Sequence, residues 1–126
     1  MVNFSKEPMT TDNHSLAIET AHSALGVPVV RLRGALTLRT LYEFKQAALE
    51  DMSRPVIVDL TAVPYMDSAG LGALISIYTS SQRTSRGFAM VGLSDRVRTL
   101  FQITRVEKLL PIFDTIPEAE VALVRR

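Results

Sequence analysis

The sequence contains no cysteine, only two histidines and no excess of either charge. Without cysteine the chain forms no disulfide, no thiolate metal site and no cysteine nucleophile. Its 14 lysine and arginine residues balance 13 aspartate and glutamate residues, which leaves a net charge of +1. This balance gives no electrostatic reason to expect nucleic acid or an anionic membrane surface as a partner.

The sequence also lacks a long hydrophobic run. No apolar stretch approaches the about 20 residues that span a bilayer. Residues 1–14 lack the apolar middle of a signal peptide. We therefore expect a cytoplasmic protein without membrane insertion. The 126 residues, 47% of them hydrophobic, suit one folded domain, and we predict a mobile tail over residues 1–14 and a single domain over residues 15–126.

Strand and helix patterns alternate along the rest of the chain. Five short apolar runs are typical of strands: residues 16–20, 29–33, 56–60, 88–91 and 111–113. Helical apolar spacing covers four segments: residues 37–52, the stretch from 68 to about 83, the segment that Ser94 opens, and residues 118–124. Thr37, Ser94 and Thr115 are the predicted helix caps. A hairpin followed by this alternation predicts an α/β fold with right-handed crossovers.

The most informative segment is the octet at residues 65–72, Tyr-Met-Asp-Ser-Ala-Gly-Leu-Gly. It follows a strand pattern and precedes a helical one, so Asp67 and Ser68 should lie where the chain leaves the sheet and opens a helix. Backbone N–H groups are free there, and negative charge is favoured. Ser68 is either a helix cap or a small regulatory switch. Asp67 caps a helix equally well, so the pair is redundant if capping is the only need.

Two glycines of the octet, Gly70 and Gly72, fall in the first turns of the predicted helix. Glycine costs about 1 kcal/mol relative to alanine in a helix interior. Either the helix packs closely against the sheet at these positions, or the bare backbone forms a surface for a partner or a phosphate. The two explanations are compatible, and the sequence leaves both open.

Catalytic and ligand-binding alternatives are weak. A serine hydrolase turn requires Gly-x-Ser-x-Gly, but Met66 occupies the first glycine position. No histidine follows Ser68 to serve as a base, so we predict no enzyme activity. The Walker pattern is missing and Asp67 would repel phosphate, so any nucleotide site would be weak. A magnesium site that pairs Asp67 with Asp59 is the remaining metal hypothesis, and we expect no resident cofactor or metal.

The motif resembles a known family. Residues 58–60 and 66–72 are similar to the STAS domain of bacterial anti-sigma-factor antagonists. Residues 30–37 resemble that family's second strand and the turn after it, and residues 96–101 resemble a later helix. The resemblance covers roughly residues 16–124. It implies a STAS-type α/β fold: a mixed sheet of about five strands with helices packed mainly on one face.

The resemblance also implies a function. Such proteins bind an anti-sigma factor that is also a serine kinase and thereby free the sigma factor. Phosphorylation of the serine that matches Ser68 switches binding off, and a serine phosphatase restores it. The implied partner-binding residues are Asp67, Ser68, Ala69, Gly70, Gly72, Thr37 and Arg39, with Arg96 at the rim. The alternative is a non-catalytic scaffold or accessory module in a signalling or transporter assembly. We expect a monomer or a weak dimer.

Two positions depart from the family's pattern. Many members carry aspartate where Thr37 stands, so a contact made by that carboxylate does not carry over to this chain. Ala69 stands where serine or threonine is frequent and offers no second hydroxyl. Neither departure removes the hydroxyl of Ser68, on which the implied switch depends.

Overall fold

The computed structural model of the chain describes residues 5–6 and 15–125. Six strands form one mixed sheet in the order of the chain: β1 (Ser5–Lys6), β2 (Ala17–His22), β3 (Pro28–Arg33), β4 (Val56–Ala62), β5 (Phe88–Val91) and β6 (Ile112–Phe113). Pairing is antiparallel from β1 to β3 and parallel from β3 to β6. The predicted hairpin is therefore β2 and β3, and the fold class is confirmed.

Four helices connect and flank the strands: α1 (Leu41–Leu49), α2 (Ser68–Arg83), α3 (Asp95–Ile103) and α4 (Ile116–Val124). The helices α1, α2 and α3 each link one parallel strand to the next, always in the same direction across the sheet. Right-handed crossovers that all step the same way place their helices on the same face. The helix α4 follows the last strand and covers the opposite face.

The strands bury side chains on both faces. Val58 and Leu60 of β4 belong to the larger hydrophobic cluster, which includes Phe44 of α1 and Leu74 of α2. Alternate residues of the same strand point the other way, so Ile57 packs in a smaller cluster with residues of α4. This double burial explains the continuous apolar run of β4, because central parallel strands contact a hydrophobic layer on each side.

The start of α1 differs from its prediction. The helix begins at Leu41, and Thr37 does not cap it with its side chain; the Thr37 hydroxyl accepts the N–H of Arg39 at 3.3 Å. Buried Thr40 holds the preceding turn, because its Oγ1 donates to the carbonyl of Ala35 at 2.8 Å and accepts the N–H of Thr37 at 3.0 Å. The predicted cap at Thr37 and the predicted range 37–52 are therefore wrong.

The remaining caps and ends follow the sequence more closely. Ser94 caps α3 by accepting the N–H of Val97, and Thr115 caps α4 by accepting the N–H of Glu118. The strand at Ser5–Lys6 was not predicted. The other residues of the predicted tail lie outside the described residues, so the domain boundaries stay a prediction. Within the described part of the chain, no helix is both long enough and apolar enough to cross a membrane.

Candidate functional site

The octet lies beside the loop that leads to α1. A parallel bridge joins Leu36 to Met66, next to the main pairing of β3 with β4. The N–H of Leu36 donates to the carbonyl of Tyr65 at 3.2 Å, and the N–H of Asp67 donates to the carbonyl of Leu36 at 3.3 Å. These bonds extend the strand pairing past its regular end. They bring residues 34–40 against the start of α2.

Asp67 is the N-cap of α2 and also fastens the neighbouring loop. Its Oδ1 accepts the N–H of Gly70 at 2.8 Å, the bond expected of a helix cap. Its Oδ2 accepts the N–H of Leu38 at 3.1 Å. One carboxylate therefore satisfies two backbone donors that are 32 residues apart in the chain. The capping role that the sequence left open between two residues belongs to Asp67.

Ser68 is the first residue of α2, and its side chain is exposed. Its hydroxyl forms no hydrogen bond with any residue that the structure describes. Because Asp67 caps the helix, the hydroxyl of Ser68 is not needed to hold the fold. It stands at the positive end of the helix dipole, next to backbone N–H groups that have no intrahelical acceptor.

The two glycines of the octet have different structural reasons. Gly70 is buried, and a Cβ at this position would lie 2.1 Å from the carbonyl oxygen of Leu36. Gly72 is exposed, and a Cβ there would meet no atom within 4 Å. Gly70 thus allows α2 to approach the loop, whereas Gly72 leaves a stretch of bare helix surface. Close packing therefore explains Gly70, whereas the use of the bare surface at Gly72 by a partner or a phosphate stays a prediction.

Large exposed side chains surround the serine. Leu38 is 73% exposed, and Tyr65 is 41% exposed. The guanidinium of Arg96 lies 5.1 Å from the centre of the Tyr65 ring, a cation–π contact. The α3 cap holds this arginine near the octet, since the hydroxyl of Ser94 donates to the carbonyl of Val63 at 3.2 Å. We call the exposed residues Leu38, Arg39, Tyr65, Ser68, Gly72 and Arg96 the Ser68 surface.

Two members of the Ser68 surface were missed by sequence reasoning. Leu38 fits the helical spacing predicted over residues 37–52, and that pattern does not indicate an exposed side chain. Tyr65 belongs to the octet, but nothing in its position indicated exposure. Neither exposure has a signal in the sequence, because both depend on how the loop before α1 packs against the octet. Thr37 and Arg39 lie on the loop that Asp67 fastens, and their role in binding a partner stays a prediction.

The metal and catalytic alternatives find no support at this site. Asp59 does not join Asp67: its Oδ2 pairs with Arg31 at 2.9 Å, and its Oδ1 accepts the N–H of Thr61. Among the described residues, no group of three or more histidine, cysteine or acidic side chains is placed to hold a metal ion. His22 ends β2, and His14 lies outside the described residues. These contacts of Asp59 give the magnesium hypothesis for Asp59 and Asp67 no support.

The fold and this junction define a small mixed α/β domain that presents a free serine at the start of a helix. The family model of the STAS domain matches residues 18–119. The chain belongs to the STAS domain family. An anti-sigma-B factor antagonist of Staphylococcus aureus is 30% identical over 86 residues, which cover 66% of this chain and 80% of that relative. The family assignment made from the sequence is confirmed.

Solved structures show the same fold. An anti-sigma factor antagonist from Mycobacterium paratuberculosis has a TM-score of 0.78 and 24% identity, and the match covers 91% of this chain and 99% of that one. The anti-sigma factor antagonist SpoIIAA in its unphosphorylated form has a TM-score of 0.63 and 18% identity, over 98% of this chain and 96% of its own. At these identities the likeness establishes the fold. Together with the curated relatives it places the chain among anti-sigma factor antagonists.

Proposed function

We propose that this protein binds an anti-sigma factor that is also a serine kinase, frees the sigma factor, and is switched off when that kinase phosphorylates Ser68. The observation that carries the proposal is the free, exposed hydroxyl of Ser68 at the start of α2. The names of the relatives favour this function over a scaffold role in a transporter or signalling assembly. SpoIIAA, which shares the fold, has been solved in a phosphorylated form as well.

Phosphorylation of Ser68 would change the charge of the surface without breaking a structural contact. The phosphate adds about 1.5 to 2 negative charges and three acceptor oxygens at neutral pH. Free N–H groups of the first turn of α2 tolerate these oxygens on this protein. The carboxylate of Asp67 is next to them in the chain, so the charge of the surface shifts from positive toward negative despite Arg39 and Arg96. A partner that packs here would have to desolvate that charge, which is costly without a cation in place.

The predicted partner-binding residues divide into contacts and supports. Ser68, Ala69 and Gly72 lie at or near the surface, and we propose that they touch the kinase. Gly70 is buried, so its role is to let α2 approach the loop. Asp67 and Thr37 hold the loop that presents Arg39. The apolar side chains of Leu38 and Tyr65 supply the exposed area that an interface core requires.

The decisive experiment measures binding of the cognate anti-sigma factor to three variants by isothermal titration calorimetry. Ser68→Asp should weaken binding about ten-fold or more, because the carboxylate reproduces part of the phosphate charge. Ser68→Ala should bind as the wild type does. The matched control is Ser76→Asp, which places the same charge on the exposed side of α2, about 12 Å further along the helix. This control should retain wild-type affinity.

Phosphorylation itself is tested by mass spectrometry after incubation with the kinase and ATP. The wild type should gain one phosphate at Ser68, and a serine phosphatase should remove it. Ser68→Ala should gain none. An unmodified Ser68, or equal affinities of Ser68→Asp and Ser68→Ala, would make Ser68 a passive surface residue and would end the proposal. We further propose that the protein is non-catalytic, cytoplasmic, and a monomer or weak dimer.

A further inference from the structure

A cavity lies at the end of the sheet opposite to Ser68. It has a volume of ≈ 230 Å³ and is bounded by the carboxyl-terminal half of α2, the start of β5, the segment before β6, and α4. Ser68 opens α2 after the carboxyl end of β4, whereas the cavity begins where β5 starts. The 16 residues of α2 span about 24 Å between the two ends. The cavity is therefore separate from the Ser68 surface.

One wall carries a buried hydroxyl without a partner. Ser81 of α2 is fully buried, and its Oγ has no hydrogen-bond partner among the described residues. Buried hydroxyls in proteins are nearly always hydrogen-bonded, because an unpaired one loses its bonds to water. Since Ser81 belongs to the lining of the cavity, a ligand there could accept its proton after a small shift of the surrounding wall.

The same wall carries a buried cation, Arg86, on which the carboxylate of Asp51 acts electrostatically without forming an ion pair. Arg86 is 7% exposed; its Nε donates to the carbonyl of Arg54 at 2.8 Å, and its Nη1 contacts the sulfur of Met52 at 2.8 Å. No acidic side chain of the described residues forms an ion pair with it. Burial lowers the pKa of the Arg86 guanidinium, but arginine stays protonated in proteins. Its Nη2 makes no hydrogen bond with a described residue.

The backbone places the two groups together. The N–H of Arg86 donates to the carbonyl of Ser81 at 2.8 Å, which closes the turn after α2. The rest of the lining is mainly apolar or aromatic: the rings of Tyr78 and Phe88 lie 5.9 Å apart, and Pro111 faces the same space. None of the lining residues is acidic. A guanidinium N–H and a hydroxyl in a lining that also contains aromatic side chains suit a flat apolar molecule with an anionic group.

We propose that this cavity binds a small aromatic carboxylate, whose oxygens accept hydrogen bonds from Arg86 Nη2 and the Ser81 hydroxyl while its ring packs against Tyr78, Phe88 and Pro111. Because Nε and Nη1 of Arg86 are already occupied, its Nη2 is the donor that remains for the ligand. A ring of six carbons fits the volume of ≈ 230 Å³ with space for the carboxylate.

The test is an NMR titration of the full chain with benzoate, with benzamide as the neutral isostere and inorganic phosphate as the anion without a ring. Benzoate should shift the amides around Ser81 and Arg86 to saturation, with a Kd of about 0.1–1 mM for a ligand of this size. Benzamide and inorganic phosphate should each bind about ten-fold more weakly, because benzamide lacks the negative charge and inorganic phosphate lacks the ring. Shifts confined to the Ser68 surface, or no saturation, would overturn the site.

Two variants and a control locate the binding. Ser81→Ala should fold at least as well as the wild type, since alanine suits a helix interior and the unpaired hydroxyl is gone. It should weaken benzoate binding about three- to ten-fold. Arg86→Gln should abolish binding. The control Arg83→Gln removes the same charge from the exposed side of the end of α2 and should change nothing. Wild-type affinity of Ser81→Ala would refute the proposal, independently of any kinase.

Discussion

At the scale of single residues, the octet shows that identical residue types are present for different physical reasons. A Cβ at Gly70 would clash with the backbone of Leu36, whereas a Cβ at Gly72 would meet no atom within 4 Å. Asp67 and Ser68 are equally good caps by residue type, yet only Asp67 faces the free N–H groups. The hydroxyl of Ser68 is free because the neighbouring Asp67 already caps α2. The two glycines and the carboxylate each lead to a prediction.

The glycines predict opposite effects of the same substitution. Gly70→Ala places a methyl group 2.1 Å from a backbone oxygen and should destabilise the protein by about 3 kcal/mol or more. Gly72→Ala should stabilise it by about 1 kcal/mol, since alanine is the better helix former, while weakening the anti-sigma factor complex. Urea unfolding followed by circular dichroism measures both stabilities. Similar losses for the two variants would contradict the distinction.

The carboxylate of Asp67 predicts a graded loss. Asp67→Ala removes the acceptor of two backbone N–H groups and should cost about 1–2 kcal/mol of stability. Asp67→Asn keeps one carbonyl oxygen, so it should still cap Gly70 but lose the bond to Leu38. Its stability should therefore lie between those of the wild type and Asp67→Ala. Hydrogen exchange of the Leu38 amide should accelerate in both variants. A slow Leu38 amide in Asp67→Asn would show that the loop is held by other contacts.

At the scale of elements, the turn before α1 sets where the loop meets α2. Thr40 is 2% exposed and bridges Ala35 and Thr37 with one hydroxyl. A pattern of apolar residues predicts a helix from residue 37, because Leu38 has the right spacing. The hydrogen bonds of Thr40 and Asp67 instead hold these residues in a turn. Leu38 is then exposed beside the serine.

The Thr40 hydroxyl leads to the third prediction. Thr40→Val keeps the shape of the side chain but leaves the carbonyl of Ala35 without this donor, so it should cost about 1–3 kcal/mol. Thr79→Val is the control on the exposed side of α2, where the hydroxyl bonds only to a carbonyl of its own helix. The control should change stability by about 0.5 kcal/mol or less. Equal midpoints of thermal unfolding for the two variants would disprove a structural role for Thr40.

At the scale of the whole molecule, the two hydrophobic clusters are opposite sides of the same strands. Val58 and Ile57 are adjacent in β4 but pack against different helices. On the side covered by α4, the buried carboxylate of Glu120 accepts the hydroxyl of Ser23 and, at 2.6 Å, the N–H of Leu25. These bonds fasten α4 to the hairpin turn. If the helices on one face of the sheet unfold, they expose strands on which the hydrophobic cluster of the other face also packs.

The shared strands predict one cooperative unfolding transition. Glu120→Ala should lower the free energy of unfolding by about 1–3 kcal/mol, because the N–H of Leu25 and the hydroxyl of Ser23 lose their acceptor. Circular dichroism and tyrosine fluorescence should shift together, as two-state unfolding requires. The exposed Glu50→Ala serves as control and should stay within about 0.5 kcal/mol of the wild type. Separate transitions for the two probes would show that α4 unfolds independently.

The sequence by itself determined the order of strands and helices from β2 to α4, the sheet class and the octet at a strand-to-helix junction. These features depend on periodicity and on residues adjacent in the chain, which local sterics and hydrogen bonding translate directly into elements. Only the tertiary structure decided that Asp67 caps α2, that Gly70 is crowded while Gly72 is open, and that Leu38 is exposed. The crowding at Gly70 and the turn that exposes Leu38 depend on contacts between segments about 30 residues apart, whose approach is set by packing across the sheet and leaves no periodic signal in the chain.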